Sequence, residues 1–254
     1  MATRPGAVTG YEAQFDFPLR PVPPELVYLL ASVPRSGSTY LSHLLWATGC
    51  LGAPLEYLNF EASGPYGFAS DSPAAQADLW RSALHRRTSP NGVFGLKAFP
   101  LQLEGVHEVN PRLVADVMRT LFPRGQRPIV VELRRRDRTA HAISYARALL
   151  SGIWRKEQEL DDRPEPEYSG EAMARAARMI EQQEESWQAM YRDLRIEPLV
   201  IWYEDVLAEP CEAIGAVAAH LGVALDPAAA VAVPAIERQS QTGARAWVER
   251  HAGG

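Results

Sequence analysis

Cysteine occurs only twice in the 254 residues, at Cys50 and Cys211. Two isolated thiols exclude a disulfide framework and a cysteine-based metal site, fit a reducing compartment, and in their apolar surroundings read as buried. No apolar run reaches the roughly eighteen residues needed to span a bilayer, and the opening MATRPGAVTGYEAQ holds no signal-peptide core. The expectation is a cytoplasmic protein without a membrane span. Positive charge is in deficit, 26 Lys and Arg against 31 Asp and Glu, for a net charge of −5. That balance argues against a nucleic-acid partner and confines any anion to a local site. There is no internal repeat, no HExxH and no defensible Ser-His-Asp order, so neither a metal nor a serine nucleophile is expected, and His107 and His141 are assigned no chemistry.

What remains is a chain with 46% apolar residues, ample for a packed core. Its organising stretch is VYLLASVPRSGSTYLSHLLWA, from Val27 to Ala47. The apolar run Val27 to Val33 lacks the alternation of a strand with one wet face and reads as a central parallel strand. Pro34 breaks it, and Tyr40, Leu41, Leu44 and Leu45 resume at helical spacing. Between them, Arg35, Ser36, Gly37, Ser38 and Thr39 combine a cation, a residue free to take positive φ and three hydroxyls. A glycine-containing loop feeding a helix N-terminus offers unpaired N–H groups and the positive end of the helix dipole to a phosphate-like anion. It is not a Walker A loop, because the first glycine of that pattern is missing and Ser38 stands where the lysine belongs; Arg35 must supply the charge. A plain strand-to-helix turn is the bland alternative.

Residues 1–24 read as a Pro- and Gly-rich arm, pinned by Tyr11, Phe15 and Phe17, leading into one domain over 25–254. After Gly49 comes the irregular Pro54-Leu55-Glu56-Tyr57, in which Glu56 by itself reads as a solvated or capping carboxylate rather than a catalytic one. The segment 60–72, with the aromatics Phe60, Tyr66 and Phe68 and several turn formers, reads as a loop able to close over a ligand. Ser72-Pro73 starts a helix ending near Pro90, and Val93 to Phe99 is a strand carrying Lys97 at the end where parallel sheets place ligands. Leu113, Val117 and Leu121 mark a helix, and Pro128 to Leu133 a third strand that runs into Arg134-Arg135-Arg136-Asp137-Arg138. Four arginines in five residues repel one another unless anions or carboxylates lie close. Ser144 lies eight residues past Arg136, slightly over two helical turns, so both can border one anion. An acidic connection over 157–169, a long amphipathic helix from Gly170, a strand over Pro198 to Tyr203 and a helix from Pro210 to Leu221 follow. Glu204 and Asp205 read as structural, and a last short helix closes the chain.

The pieces from Val33 to Thr39, Gly52 to Tyr57, Phe94 to Lys97, Leu133 to Trp154, Tyr203 to Asp205 and Glu237 to Trp247, six in register across residues 27 to 250, resemble the bacterial trehalose sulfotransferase family. The resemblance implies an α/β fold with a mostly parallel sheet of four to five strands, helices on both faces and a P-loop-like nucleotide site. It implies 3′-phosphoadenosine 5′-phosphosulfate (PAPS) as donor without a metal, a sugar-like hydroxyl as acceptor, and a homodimer. By it, Arg35, Ser36, Gly37, Ser38 and Thr39 hold the 5′-phosphosulfate, Arg136 and Ser144 the 3′-phosphate, and Arg238 lies on the nucleotide side. Glu56 corresponds to the family's general base, with Arg35 and Lys97 beside the reaction. In animal sulfotransferases a histidine two places after a lysine takes that part; Lys97-Ala98-Phe99 has none here. Two rivals stay open: a small-molecule kinase, disfavoured by the missing lysine, and a nucleotide-sensing module without turnover.

Overall fold

A computed structural model describes residues 8–154, 158, 165–236 and 241–252. Four strands, β1 (Leu26–Ala31), β2 (Val93–Ala98), β3 (Val130–Arg134) and β4 (Leu199–Trp202), form one sheet in the order β2-β1-β3-β4, with every pairing parallel. Parallel strands are apolar on both faces because crossover helices cover both, and LVYLLA and VFGLKA fit that rule. From β1 the chain steps outward to β2 and then crosses to β3 on the other side. The carboxyl end of β1 therefore sits at a topological switch point, where open α/β sheets leave a crevice.

The helices are α1 (Ser38–Ala47), α2 (Pro73–Arg86), α3 (Pro100–Val109), α4 (Pro111–Leu121), α5 (Arg138–Ser151), α6 (Gly170–Leu194), α7 (Tyr203–Ala208), α8 (Pro210–Leu221) and α9 (Gln241–Ala252). Leu29, Ala31, Phe94 and Leu96 pack with Trp80 of α2, Val117 of α4 and Trp187 of α6, whereas Tyr28, Leu30 and Val131 pack with Leu41 and Leu45 of α1 and Val217 of α8. The period-two alternation of each strand thus sorts its side chains between two layers. A third cluster, Ile143, Tyr145, Met173, Ile180 and Trp247, joins α5, α6 and α9 around Val33. The α/β class is as expected, with four named strands; Leu55 adds one isolated parallel bridge to Leu96 beyond β2.

Helix limits follow the capping residues. Ser72 accepts from the Ala75 amide with Pro73 next to it, Asp137 caps α5, Ser169 caps α6, and Gly222 in the left-handed region ends α8. Helix α2 stops at Arg86, short of Pro90, and α5 at Ser151, short of Trp154. Helix α3 was not expected from the sequence, where Gly105 weakens the pattern although Pro100 opens it. Cys50 is buried as read, but Cys211 is exposed, because it falls on the outer side of α8. Among the described residues no helix is long and apolar enough to cross a membrane.

Two distant side chains hold the segment that follows β1. Trp187 Nε1 of α6 donates to the Ser32 carbonyl at 2.8 Å, and His141 Nε2 of α5 to the Pro34 carbonyl at 2.9 Å. Burial drives the His141 pKa down to about 4, so the ring is neutral and donates from Nε2. An unfolded histidine titrates near 6.5, so in the window between about 6.5 and 4 the unfolded chain binds the extra proton and stability falls as pH falls. The expected result is that His141→Gln, which keeps a donor but cannot titrate, flattens this part of the stability–pH curve by about 3 kcal/mol. Urea unfolding of both proteins from pH 7 to pH 4 measures it; parallel curves would show that His141 is not buried neutral.

Candidate active site

Where β1 ends, Arg35 (φ 68) and Gly37 (φ 93) turn the chain through the left-handed region and deliver it into α1. Gly37 is the N-cap, and Tyr40 and Leu41 donate to its carbonyl. The first amides of α1 have no acceptor within the helix and point to the carboxyl end of the sheet, which favours an anion. Only glycine fits at position 37: a Cβ there would lie 2.2 Å from Cδ2 of Tyr203, whose ring closes over the loop.

This loop borders a cavity of about 930 Å³ whose wall includes Arg35, Gly37, Ser38, Thr39, Glu56, Lys97, Arg135 and Ser144. At its centre lies a buried polar cluster. Lys97, 1% exposed, is paired with Glu56, 7% exposed, at 2.9 Å between Nζ and Oε1. The same ammonium donates to Thr39 Oγ1 at 3.0 Å. The other carboxylate oxygen, Oε2, accepts from Asn59 Nδ2 at 2.8 Å and Gln102 Nε2 at 2.9 Å. Local architecture explains the meeting. Lys97 pairs in register with Leu30 on the α1 side of the sheet, and its amide donates to the Leu55 carbonyl, so the strand-like 54–57 segment lays Glu56 beside it. Gln102 reaches in from α3 while its Oε1 accepts from the Phe99 amide. Glu61 also lines the cavity, its carboxyl pushed up by partial burial and by the charge of Glu56.

The arginine run divides its charges. Arg134 pairs with Glu132 at 3.0 Å and Arg138 with Glu184. Arg136 is not brought to Ser144: its guanidinium forks onto Asp205 and lies over the Trp202 ring, while its amide and that of Asp137 donate to Glu204. The side chain leaves the strand toward α7, outside the cavity wall. Arg135 faces the cavity instead, donating to the Arg35 carbonyl at 3.3 Å and stacking on Tyr203. Among the described residues it is the arginine of this run without a carboxylate partner. Ser144 Oγ accepts from Arg35 Nε at 3.0 Å, and Arg35 also donates to the Trp154 carbonyl.

The structure thus gathers Arg35, Gly37, Ser38, Thr39, Glu56, Lys97 and Ser144 around one space. It leaves Ser36 buried outside the wall, its hydroxyl without a partner among the described residues, and Arg136 on the outside. Arg238 lies outside the described residues. Sequence reasoning missed Asn59, Gln102 and Arg135. Pro100 after Phe99 was the available signal for the helix that carries Gln102; strand parity, alternating from the core residue Leu133, was the signal for neither arginine, since both lie beyond the last paired residue.

A model of the Stf0 sulphotransferase family matches residues 27–253. Two relatives named trehalose 2-sulfotransferase, from Mycolicibacterium smegmatis and Mycobacterium tuberculosis, are 28% identical over 258 residues and 29% over 254, each covering 88% of this chain and 93% of the relative. Among solved structures, mouse sulfotransferase SULT7A1 complexed with PAP aligns at 15% identity and a TM-score of 0.45, over 84% of this chain and 62% of that one. That last likeness is too slight to carry chemistry across.

Gly37→Ala should lower stability by about 2–5 kcal/mol, from the left-handed backbone and from overlap with the Tyr203 ring. Adding Tyr203→Ala removes the overlap and should leave about 1–2 kcal/mol of backbone strain relative to Tyr203→Ala alone. Urea unfolding of the four proteins completes this cycle, and strict additivity of the two substitutions would refute the contact.

Proposed function

The chain belongs to the Stf0 sulphotransferase family, and we propose that it moves the sulfuryl group of PAPS to a hydroxyl of a sugar or glycosylated small molecule, with Glu56 as general base. The observation that carries this reading is the ammonium of Lys97, which bridges Glu56 and Thr39 in one cavity and so couples the carboxylate to the anion-binding end of α1. The two relatives named trehalose 2-sulfotransferase support a sugar acceptor. We read residues 25–254 as one sulfotransferase domain behind the arm, in a cytoplasmic homodimer.

Sulfuryl transfer resembles loose phosphoryl transfer, in which the protein positions donor and acceptor in line and stabilises charge on the leaving oxygen. The acceptor oxygen bonds to sulfur as the sulfur–oxygen bond to the 5′-phosphate breaks, releasing 3′-phosphoadenosine 5′-phosphate. Glu56 takes the hydroxyl proton. Lys97 and the first amides of α1 face charge that builds on the leaving phosphate, and Arg35 and Ser144 border the donor. Asn59 and Gln102 hold the carboxylate plane, so the base spends little on reorienting. In place of Arg136, whose charge is spent on Asp205, we assign a donor phosphate to Arg135, the cavity-facing cation stacked on Tyr203.

Glu56→Gln keeps shape and removes the basic oxygen, so single-turnover transfer to trehalose from labelled donor should fall by a factor of about 10²–10⁴ with donor affinity nearly unchanged. A rate near that of the wild type would remove Glu56 from the chemistry. 3′-Phosphoadenosine 5′-phosphate at a hundred times its dissociation constant should stabilise the fold by about 2.7 kcal/mol, and ATP with Mg²⁺ far less; the reverse order would favour a kinase.

Arg135→Ala should weaken binding of 3′-phosphoadenosine 5′-phosphate by about tenfold or more, the worth of one charge-assisted contact, and Arg136→Ala by less than about threefold. Calorimetric titration of both variants tests the assignment, and the opposite ranking would return the phosphate to Arg136.

A further inference from the structure

The match to the family model begins at residue 27, so residues 8–17 lie outside what that model describes. Yet this arm is built into the cavity. Val8, Thr9 and Tyr11 form part of its wall, and the Tyr11 hydroxyl accepts from the Glu56 amide at 3.0 Å. The Tyr11 ring meets Tyr66 edge-on at 5.4 Å and Tyr57 at 6.4 Å, tying the arm to the segment that follows Glu56.

A buried guanidinium holds the arm in place. Arg87, 3% exposed, donates to the carbonyls of Gly10 at 2.9 Å, Glu12 at 3.2 Å and Phe15 at 3.4 Å, and its Nε lies 3.0 Å from Asp16 Oδ1. Its face covers the Trp46 ring at 5.7 Å. Every one of those polar side-chain contacts goes to the arm, so a residue inside the family span spends its buried charge on ten residues outside it. Gly10 packs so tightly on Trp46 that a Cβ would lie 3.3 Å from its Cζ3. Glu12 folds the tip by accepting from the amides of Thr9 and Gly10, each at 2.8 Å. Unpaired, a buried arginine is strongly unfavourable, so docking of the arm and burial of Arg87 stand or fall together.

We propose that residues 8–17 are a specificity element of this enzyme: a wall of the acceptor side of the cavity, clamped by Arg87, that sets which sugar hydroxyl reaches Glu56, with Tyr11 as a positioning residue for Glu56. The Tyr11 clause rests on the assignment of Glu56 as base; the wall does not. The donor contacts assigned above are on the loop before α1 and on α5, whereas the arm's hydrogen bond in the cavity goes to Glu56, the base assigned to the acceptor, so we place the arm on the acceptor side. Val8 is exposed and lines the cavity, so the property that such a wall would sort is acceptor size, a disaccharide against a monosaccharide.

The test uses the full chain, labelled sulfate transfer to trehalose and to glucose at saturating donor, and calorimetric binding of 3′-phosphoadenosine 5′-phosphate. Val8→Trp should raise the trehalose KM relative to the glucose KM by about fivefold or more while nucleotide affinity stays within about twofold. Tyr11→Phe should lower kcat by about tenfold, the worth of one oriented hydrogen bond, and should have no further effect in a Glu56→Gln background. Should Arg87 variants fail to fold, Asp16→Asn loosens the clamp more gently and should move the KM ratio in the same direction. Wild-type KM ratios in Val8→Trp and Asp16→Asn, or a loss of nucleotide affinity in step with activity, would overturn the proposal. Full turnover in Glu56→Gln together with a shifted KM ratio in Val8→Trp would overturn the base and the Tyr11 clause, and leave the wall standing.

Discussion

Taking the ammonium of Lys97 out of water costs several kcal/mol, which only close, well-oriented partners offset. Glu56 supplies the opposite charge and Thr39 a hydroxyl, and each of the two lies on a different piece of chain. The pairing therefore fixes three segments to one another: the end of β2, the start of α1 and the strand-like turn over 54–57. Asn59 and Gln102 complete the carboxylate, adding the following loop and α3 to the set. Remove the lysine and the buried carboxylate loses that opposite charge, keeping the hydrogen bonds from Asn59 and Gln102. The arrangement that makes the site is thus the arrangement that anchors one end of the sheet.

Much of this was legible in the sequence where the signal is local. The strand, loop and helix around Arg35 to Thr39 follow from an apolar run, a proline break and helical spacing, and the caps at Ser72 and Gly222 follow from residue type alone. Glu56 and Lys97 were each ambiguous singly. What makes them a site is their contact 41 positions apart, created by the single bridge between Leu55 and Leu96, and no local pattern encodes one bridge. Helix α3 escaped because its periodicity is weak, and Gln102 escaped with it. Tyr11 was read as an aromatic that pins the arm, which it does, but its hydroxyl on the Glu56 amide depends on the arm's path across the molecule.

The run of arginines after β3 shows a different limit. Mutual repulsion demands partners, and the structure provides them: Glu132, Asp205 and Glu184 take three of the four, and the Tyr203 ring and a carbonyl receive the fourth. Spacing along the chain suggested that Arg136 shares an anion with Ser144. In the structure the acidic pair at the start of α7 holds Arg136 outward, and Arg135 is turned to the cavity. Glu204 also accepts two amides there, which holds its carboxyl below the usual glutamate range despite the opposing effect of burial.

The two pegs on the segment after β1 come late in the chain: His141 lies 107 positions beyond the carbonyl it holds, and Trp187 lies 155 beyond its own. A ribosome adding about 5–20 residues per second needs roughly 8–30 s to cover the longer interval. Within it, the edge of β1 that β3 covers stays open until Val130 is made, about a hundred residues or roughly 5–20 s after Ala31. An apolar strand with an open edge is a template for wrong pairing. Synthesis of this protein therefore passes through an interval in which an apolar strand is available to chaperones or to other chains, and that interval closes only when β3 arrives.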